Sequence, residues 1–360
     1  MEHTRFTIDP DIARAQLPPG ELYGDPQWHR AVLDRVFGRS WQLLHAVHEA
    51  TAECNAVPVE LGGEPMVMTH GDAGWNLLSN VCTHRGAIVA SEPCRVRNLR
   101  CPYHGRRWRL DGALASAPGF EGAVDFPAER DNLARGSVAT LGPWVFGSRY
   151  AHSTPPAWLR WMQERFHWVA WDRMAHDPSM DRSYDLDVNW ALYVDNYLEG
   201  FHVPFVHPGL AKVLDPDDYR QELHPGGTLQ IGIAREGEDH FDLPSDSVDA
   251  SARVAGFYCW LFPNTMVNLY PWGASLNKVC PVGPQRTRIE YRRWIVDPSR
   301  LGQGAGGDLE TVELEDQAVV RLAQRGVRSA MYPGGRYSPK HEVGLHHFHR
   351  LLSDLLGRDA

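Results

Sequence analysis

The chain has 360 residues, 43% of them apolar and 22% charged, with 36 basic against 45 acidic side chains and a formal charge of −9. At roughly 150 residues per domain this leaves room for about two domains, and a composition so near the globular norm excludes wholesale disorder, collagen and a coiled coil. The acidic balance speaks against a nucleic-acid binder, which needs a basic face.

No stretch is long and apolar enough for a transmembrane helix, so no membrane partner is expected. The opening MEHTRFTIDPDIARAQLPPG lacks a basic-then-apolar signal architecture, and a cytoplasmic location is the expectation. Six cysteines are too few for a disulfide scaffold and read as thiols or metal ligands.

In chain order, Pro26 ahead of the apolar-periodic WHRAVLDRVF predicts a short helix inside a leader of residues 1–39. Residues 40–157 break into short β runs separated by Gly, Pro and Asn: QLLHAV, CNAVPVEL, PMVMTH, WNLLSNV, VATL and WVFG. From 158 to 360 the texture is α+β. WLRWMQERFHWVAW and VNWALYVDNYLEGFHVPF are partly helical, and 256–272 and 287–296 are antiparallel strands, the first folding at Pro263–Asn264. The GQGAGG stretch at 302–307 is read as a plain loop, and residues 308–326 as a helix closed by Gly326. LHHFHR at 345–350 is read as the surface of an amphipathic helix.

Two loops stand out, NVCTHRGA and CPYHGRRW, each offering one sulfur and one imidazole: Cys82 with His84, Cys101 with His104. Four unrelated core residues, a structural zinc site and a Rieske [2Fe–2S] cluster compete as explanations. Zinc fingers usually pair like with like, whereas one of each per loop suits a cluster gripped from two sides. Gly86 and Gly105 close the loops and allow the backbone to approach the sulfurs.

A second constellation lies in NWALYVDNYLEGFHVPFVH. Glu199 and His202 are three apart and share a face if helical. His202 and His207 are five apart, about 140° round an ideal helix, so one metal needs a break between them, which Pro204 is placed to supply. Two histidines and a carboxylate would leave open positions for O2 and substrate on a non-haem iron. The carboxylate would come from far downstream, among Asp308, Glu310, Glu313, Glu315 and Asp316. Asp316 falls with Val312, Val319 and Val320 on one helical stripe and can point inward, with Glu315 about 100° round.

Both motifs, in this order, resemble the non-haem iron ring-hydroxylating oxygenases (α subunit), over residues 40–350 or so. The resemblance implies an N-terminal all-β Rieske domain followed by a helix-grip catalytic domain. Cys82, His84, Cys101 and His104 would hold the cluster, and His202, His207 and Asp316 a mononuclear Fe(II). Asn196 matches the Asn that opens the second motif. Glu199 stands where most of the family has Asp, the acid that carries electrons from a neighbouring subunit's Rieske histidine to the iron. A Glu there resembles the choline, carnitine and glycine betaine monooxygenase branch. The family usually follows CPYHG with Trp; here Arg106 stands, a change of local packing. Cys94 matches no ligand and reads as a buried thiol.

The activity so implied is that of a terminal oxygenase, using O2 to monooxygenate or oxidatively demethylate a small molecule, a quaternary amine among the options. Arene hydroxylation is the alternative. A non-catalytic Rieske electron carrier or a zinc structural protein stands outside that class. The chain is read as having no GxGxxG dinucleotide motif and no flavin site, so a separate NAD(P)H-dependent reductase, with or without a ferredoxin, would supply electrons. A homotrimer is implied by resemblance. Of the aromatics Phe257, Tyr258, Trp260, Phe262, Tyr270 and Trp272, alternation puts Tyr258, Trp260 and Phe262 on one face. They could cage a trimethylammonium group, although sheet core is the expectation for most of the six.

Overall fold

A computed structural model describes residues 4–46, 54–72 and 74–357. The chain divides into two compact units, one from Phe37 to Pro156 and one formed by the residues up to Val36 together with those from Ala157 onward. The leader expected over residues 1–39 is therefore no separate body. Its helix α1 (Pro26–Arg35) starts at Asp25, whose carboxylate accepts the Gln27 amide, and buries Trp28, Ala31 and Val32 in the second unit.

The first unit is all β. Strands β1 (Gln42–Ala46), β2 (Ala56–Leu61), β3 (Glu64–Gly71), β4 (Gly74–Ser79), β5 (Leu99–Arg100), β6 (Arg107–Trp108), β7 (Leu114–Ser116), β8 (Ser137–Leu141) and β9 (Trp144–Ser148) form three antiparallel sheets, ordered β1-β9-β8, β2-β3-β4 and β5-β6-β7. Val47, expected in the first strand, lies outside the described residues. Period-2 alternation gives the middle sheet two apolar faces. Met66, Met68 and Leu77 pack with Leu44 and Val145 on one side. Val67 and Leu78 pack on the other with Cys82, Cys101 and Trp108. The loop after β4 and the β5–β6 hairpin are thus pinned by the sulfurs themselves.

In the second unit α2 (Ala157–Arg165) leads into β10 (Ala175–His176) and β11 (Arg182–Leu186). The sheet continues through β12 (Arg220–His224), β13 (Gly227–Ile233), β14 (Val254–Leu261), β15 (Thr265–Tyr270), β16 (Gly273–Gly283) and β17 (Arg286–Ile295). The order is β10-β17-β16-β15-β14-β13-β12, with β11 also paired to β17, antiparallel throughout. Helices α3 (Trp190–Tyr197), α4 (Val203–Val206), α5 (Leu210–Val213), α6 (Leu309–Val327) and α7 (Val343–Gly357) complete the unit. On one sheet face Phe257 meets Phe166, Trp168 and Phe241; from the other, Trp260 meets Phe348 of α7.

Four expectations change here. Gly326 does not close α6, which runs on to Val327 with Arg328 as its cap; Gly326 keeps a negative φ and behaves as an ordinary helical residue. The buried stripe of α6 is polar, Glu313, Gln317 and Gln324 with Val320, because α3 and the N-terminal segment offer it hydrogen-bond partners. LHHFHR is no surface. His349 is fully buried, donating from Nε2 to Asp195 (3.0 Å) and accepting at Nδ1 from Tyr337 (2.8 Å), while His346 donates to the Asp9 carbonyl (2.8 Å). Finally, Gly302, Gly304 and Gly307 do carry the GxGxxG spacing. They follow an antiparallel strand rather than opening a βαβ unit, and added side chains would collide with Asp239 at Gly304 and with Trp272 and Tyr270 at Gly306. The glycines serve packing and leave no phosphate cradle.

Candidate metal centres

In the first unit the two Cys–His loops are near copies. Gly86 N–H bonds Cys82 O and Gly105 N–H bonds Cys101 O, at 3.0 and 3.2 Å; each glycine turns through a positive φ, 72° and 75°. Both cysteines are buried, His84 is half-buried and His104 exposed. The imidazole centroids of His84 and His104 lie 4.8 Å apart, so the four groups converge. Burial pushes the Cys82 thiol up. Burial would raise Cys101 too, but the amides of Tyr103 and His104, the Cys82 side chain and the Arg106 charge leave it below its ordinary value. Nδ1 of His84 is buried with no partner among the described residues, as a nitrogen reserved for a metal would be. Lost solvation and the neighbouring His104 and Arg106 charges lower the pKa of this imidazole.

Arg106 is buried at 3% exposure. Its Nη1 donates to Thr83 Oγ1 (3.1 Å) and Asp131 Oδ1 (3.2 Å), and its guanidinium lies 4.2 Å from the Phe120 ring centre. Thr83 sits between Cys82 and His84, so this arginine ties one loop to the other. The Asp131 carbonyl accepts from both Thr83 Oγ1 and Trp108 Nε1.

In the second unit α3 begins at Asn189, whose side chain accepts the Ala191 amide, and ends before Glu199. Glu199 and His202 therefore meet across a turn, not along a helix. One carboxylate oxygen of Glu199 accepts the Phe201 and His202 amides and the other takes Nδ1–H of His202 at 2.6 Å. Pro204 does not break a helix between the histidines. It occupies the first turn of α4, where no amide donor is missed, and His202 and His207 flank that short helix.

From these flanks the rings approach Asp316 of α6. His207 Nε2 lies 3.0 Å and His202 Nε2 3.5 Å from Asp316 Oδ1, and one ligand atom from each of the three residues falls within 4.8 Å of the others. Asn196 Nδ2 donates to the same oxygen at 2.6 Å. Asp316 is half-buried. Glu315, set aside on helical angle, takes Nδ1–H of His207 at 2.7 Å; its longer side chain spans the sideways offset. Each histidine thus gives one nitrogen to a glutamate and keeps the other for a metal. Burial would lower His207, yet Asp316 and Glu315 hold it above the ordinary value, the signature of a site that attracts a cation.

A cavity of about 120 Å³ opens onto the triad. Tyr197, Tyr219, Tyr258 and Tyr270 line it, with Arg182 and Arg293 also on its wall. Phe257, Trp260 and Trp272 are core, and Trp272 stacks on Tyr270. A further acid, Glu313, lies against it, bonded by Tyr193 (2.5 Å) and Gln317 (2.9 Å); burial pushes its pKa up to about 7. Glu313, one of the five downstream carboxylates considered for the third ligand, is thus tied to Tyr193 and Gln317 and is not among the three residues that converge.

Comparison with known proteins agrees with this geometry. Residues 173–358 match the model of the ring hydroxylating alpha subunit (catalytic domain), and residues 40–127 that of the Rieske [2Fe-2S] domain. The chain belongs to the ring-hydroxylating oxygenase α-subunit family. It is 30% identical to the chloroplastic choline monooxygenase of Arabidopsis thaliana over 97% of this chain and 85% of that one. It is 27% identical to the carnitine monooxygenase oxygenase subunit of Escherichia coli K12, over 94% and 93%. A crystal structure of the quaternary ammonium Rieske monooxygenase CntA with an inhibitor shares the fold at a TM-score of 0.79 and 22% identity, covering 98% of this chain and 99% of that one.

This oxygenase is an oxidoreductase that carries a Rieske cluster and a mononuclear iron and takes electrons from a separate reductase to activate O2. The zinc and electron-carrier readings fall away. Among the described residues no helix is long and apolar enough to cross a membrane.

Proposed function

We propose that this oxygenase monooxygenates or demethylates a small quaternary ammonium compound at His202, His207 and Asp316. The observation that carries this is the tyrosine-lined cavity on the open side of the triad. Tyr ring faces attract a trimethylammonium cation, and the cavity's size is close to that known to hold a benzene-sized ligand. Tyr258 Oη is buried with no partner among the described residues, a polar atom aimed where a polar substrate would sit. Gln230, Asn268, Asn277 and the two arginines also line this space, a polar wall that suits a charged, polar substrate better than an arene. Choline and carnitine monooxygenases among the relatives support the same choice.

The balance is R–H + O2 + 2 e⁻ + 2 H⁺ → R–OH + H2O. Iron supplies the reductive activation of O2. The protein's part is to bind the cation against the tyrosines, orient the metal ligands through Glu199, Glu315 and Asn196, and exclude water. In this reading Glu199 is the acid through which electrons reach His202 from His104 of a neighbouring copy in a homotrimer. A cytoplasmic location, with a ferredoxin or directly from the reductase, completes the proposal.

The test couples the purified oxygenase to a reductase and follows O2 uptake and product with choline, carnitine, glycine betaine and naphthalene. Product from a quaternary amine, matched to O2 consumed, is expected. Turnover of naphthalene with none of the amines would hand the site to arene hydroxylation.

A further inference from the structure

Arg106 takes a place that the family usually gives to an uncharged tryptophan, and its surroundings bear on the cluster. The guanidinium is sealed between the loop that supplies Cys82 and His84 and the aromatic pair Phe120 and Phe126, whose centroids lie 4.2 and 5.1 Å from its central carbon. Phe120 meets the His84 ring edge-on at 5.1 Å, so the charge stands one aromatic ring behind a cluster ligand. Its counter-charge is incomplete. A bidentate fork would cancel most of the field, but Arg106 reaches Asp131 through Nη1 alone, at 3.2 Å, while Asp131 Oδ2 is engaged by the Ala128 amide at 2.8 Å. Nε of Arg106 is buried and has no partner among the described residues. A cation so held, in a medium with little water to screen it, acts strongly on a nearby redox centre.

We infer that the Arg106–Asp131 pair sets the reduction potential of the Rieske cluster, with Arg106 raising it and Asp131 tempering the rise. Reduction adds one negative charge to a cluster already held by two thiolates. The buried guanidinium favours that extra electron and the carboxylate opposes it, so the two side chains act with opposite signs. Arg106 is a positioning residue too, because the same Nη1 anchors Thr83. The two roles separate in experiment: loosening the loops would move both variants the same way, whereas electrostatics moves them apart.

The test is a potentiometric titration of the cluster-loaded enzyme, followed by the EPR signal of the reduced cluster, for R106Q, R106K and D131N. R106Q is expected to shift the reduction equilibrium about tenfold toward the oxidised form, about 59 mV downward for one electron. D131N keeps the Ala128 contact and is expected to shift it upward by a similar factor. R106K restores the charge without the fork and should return most of the R106Q loss. Shifts of the same sign in R106Q and D131N, or no shift in either, would overturn the assignment. If R106Q fails to hold its cluster, D131N decides: a raised potential supports the inference, and an unchanged or lowered one ends it.

Discussion

His202 and His207 are each clamped at Nδ1 by a glutamate, which fixes the tautomer and points Nε2 at Asp316. Partners of this kind usually change metal affinity 10- to 100-fold. Glu315→Gln removes the charge while leaving an oxygen to accept the bond. Iron affinity measured by chelator competition should fall by about that range, with sulfide content and the cluster signal unchanged; unaltered affinity would show that Glu315 merely caps a ring edge. That His202, His207 and Asp316 would come together was legible because metal chemistry demands set residue types at set spacings. Glu315 was not, since its partner lies 108 positions away and only the folded chain shows that a glutamate can reach round the helix. The same holds for Asp131, which no local pattern ties to Arg106.

At the scale of elements, hydrophobic patterning identified α1, α3 and the long strands, because each buries an apolar face that period 3.6 or 2 makes visible, and it placed α6 although the stripe that α6 buries is mostly polar. It misread α7, whose buried face carries histidines. Those side chains are buried because other elements satisfy them: Asp195 of α3, Tyr23 ahead of α1 and Tyr337 converge on His349. His349→Leu would take away the partner of Tyr337 Oη and one donor to Asp195, while Tyr23 keeps its bond to Asp195, and a loss of about 1–3 kcal/mol is expected. Urea unfolding of the iron-binding unit reads this out; a midpoint within error of the parent protein would mean that water replaces the imidazole. The stop of α3 before Glu199 was equally hidden. At Gly200 an added Cβ would sit 2.6 Å from the Tyr219 ring, a contact made by the residue just ahead of β12.

Across the whole molecule the two units were legible in outline, from the change of texture near residue 157, but the leader's allegiance was not. Tyr23 and Leu22 lie against α3 and α6, Arg35 donates to the Leu356 carbonyl at 2.8 Å, and Gln324 donates to the Tyr23 carbonyl at 2.9 Å. A chain lacking residues 1–36 should keep its Rieske EPR signal yet lose iron retention and cooperative unfolding of the other unit. Full iron occupancy in that truncated protein would show the leader to be an accessory.

Because residues 37–156 interrupt the other unit, the two halves of the enzyme become foldable at different times on the ribosome. The cluster-bearing half has all of its own sequence once Pro156 has emerged. The iron-bearing half cannot close until α7 follows, roughly 200 residues and on the order of 10–40 s later at the usual pace of synthesis. Until then α1 and the apolar surface around Trp28 wait for a partner at the far end of the chain. Maturation thus has an order written into the topology: the sulfur-ligated centre can be finished first, and the O2-activating site is assembled last.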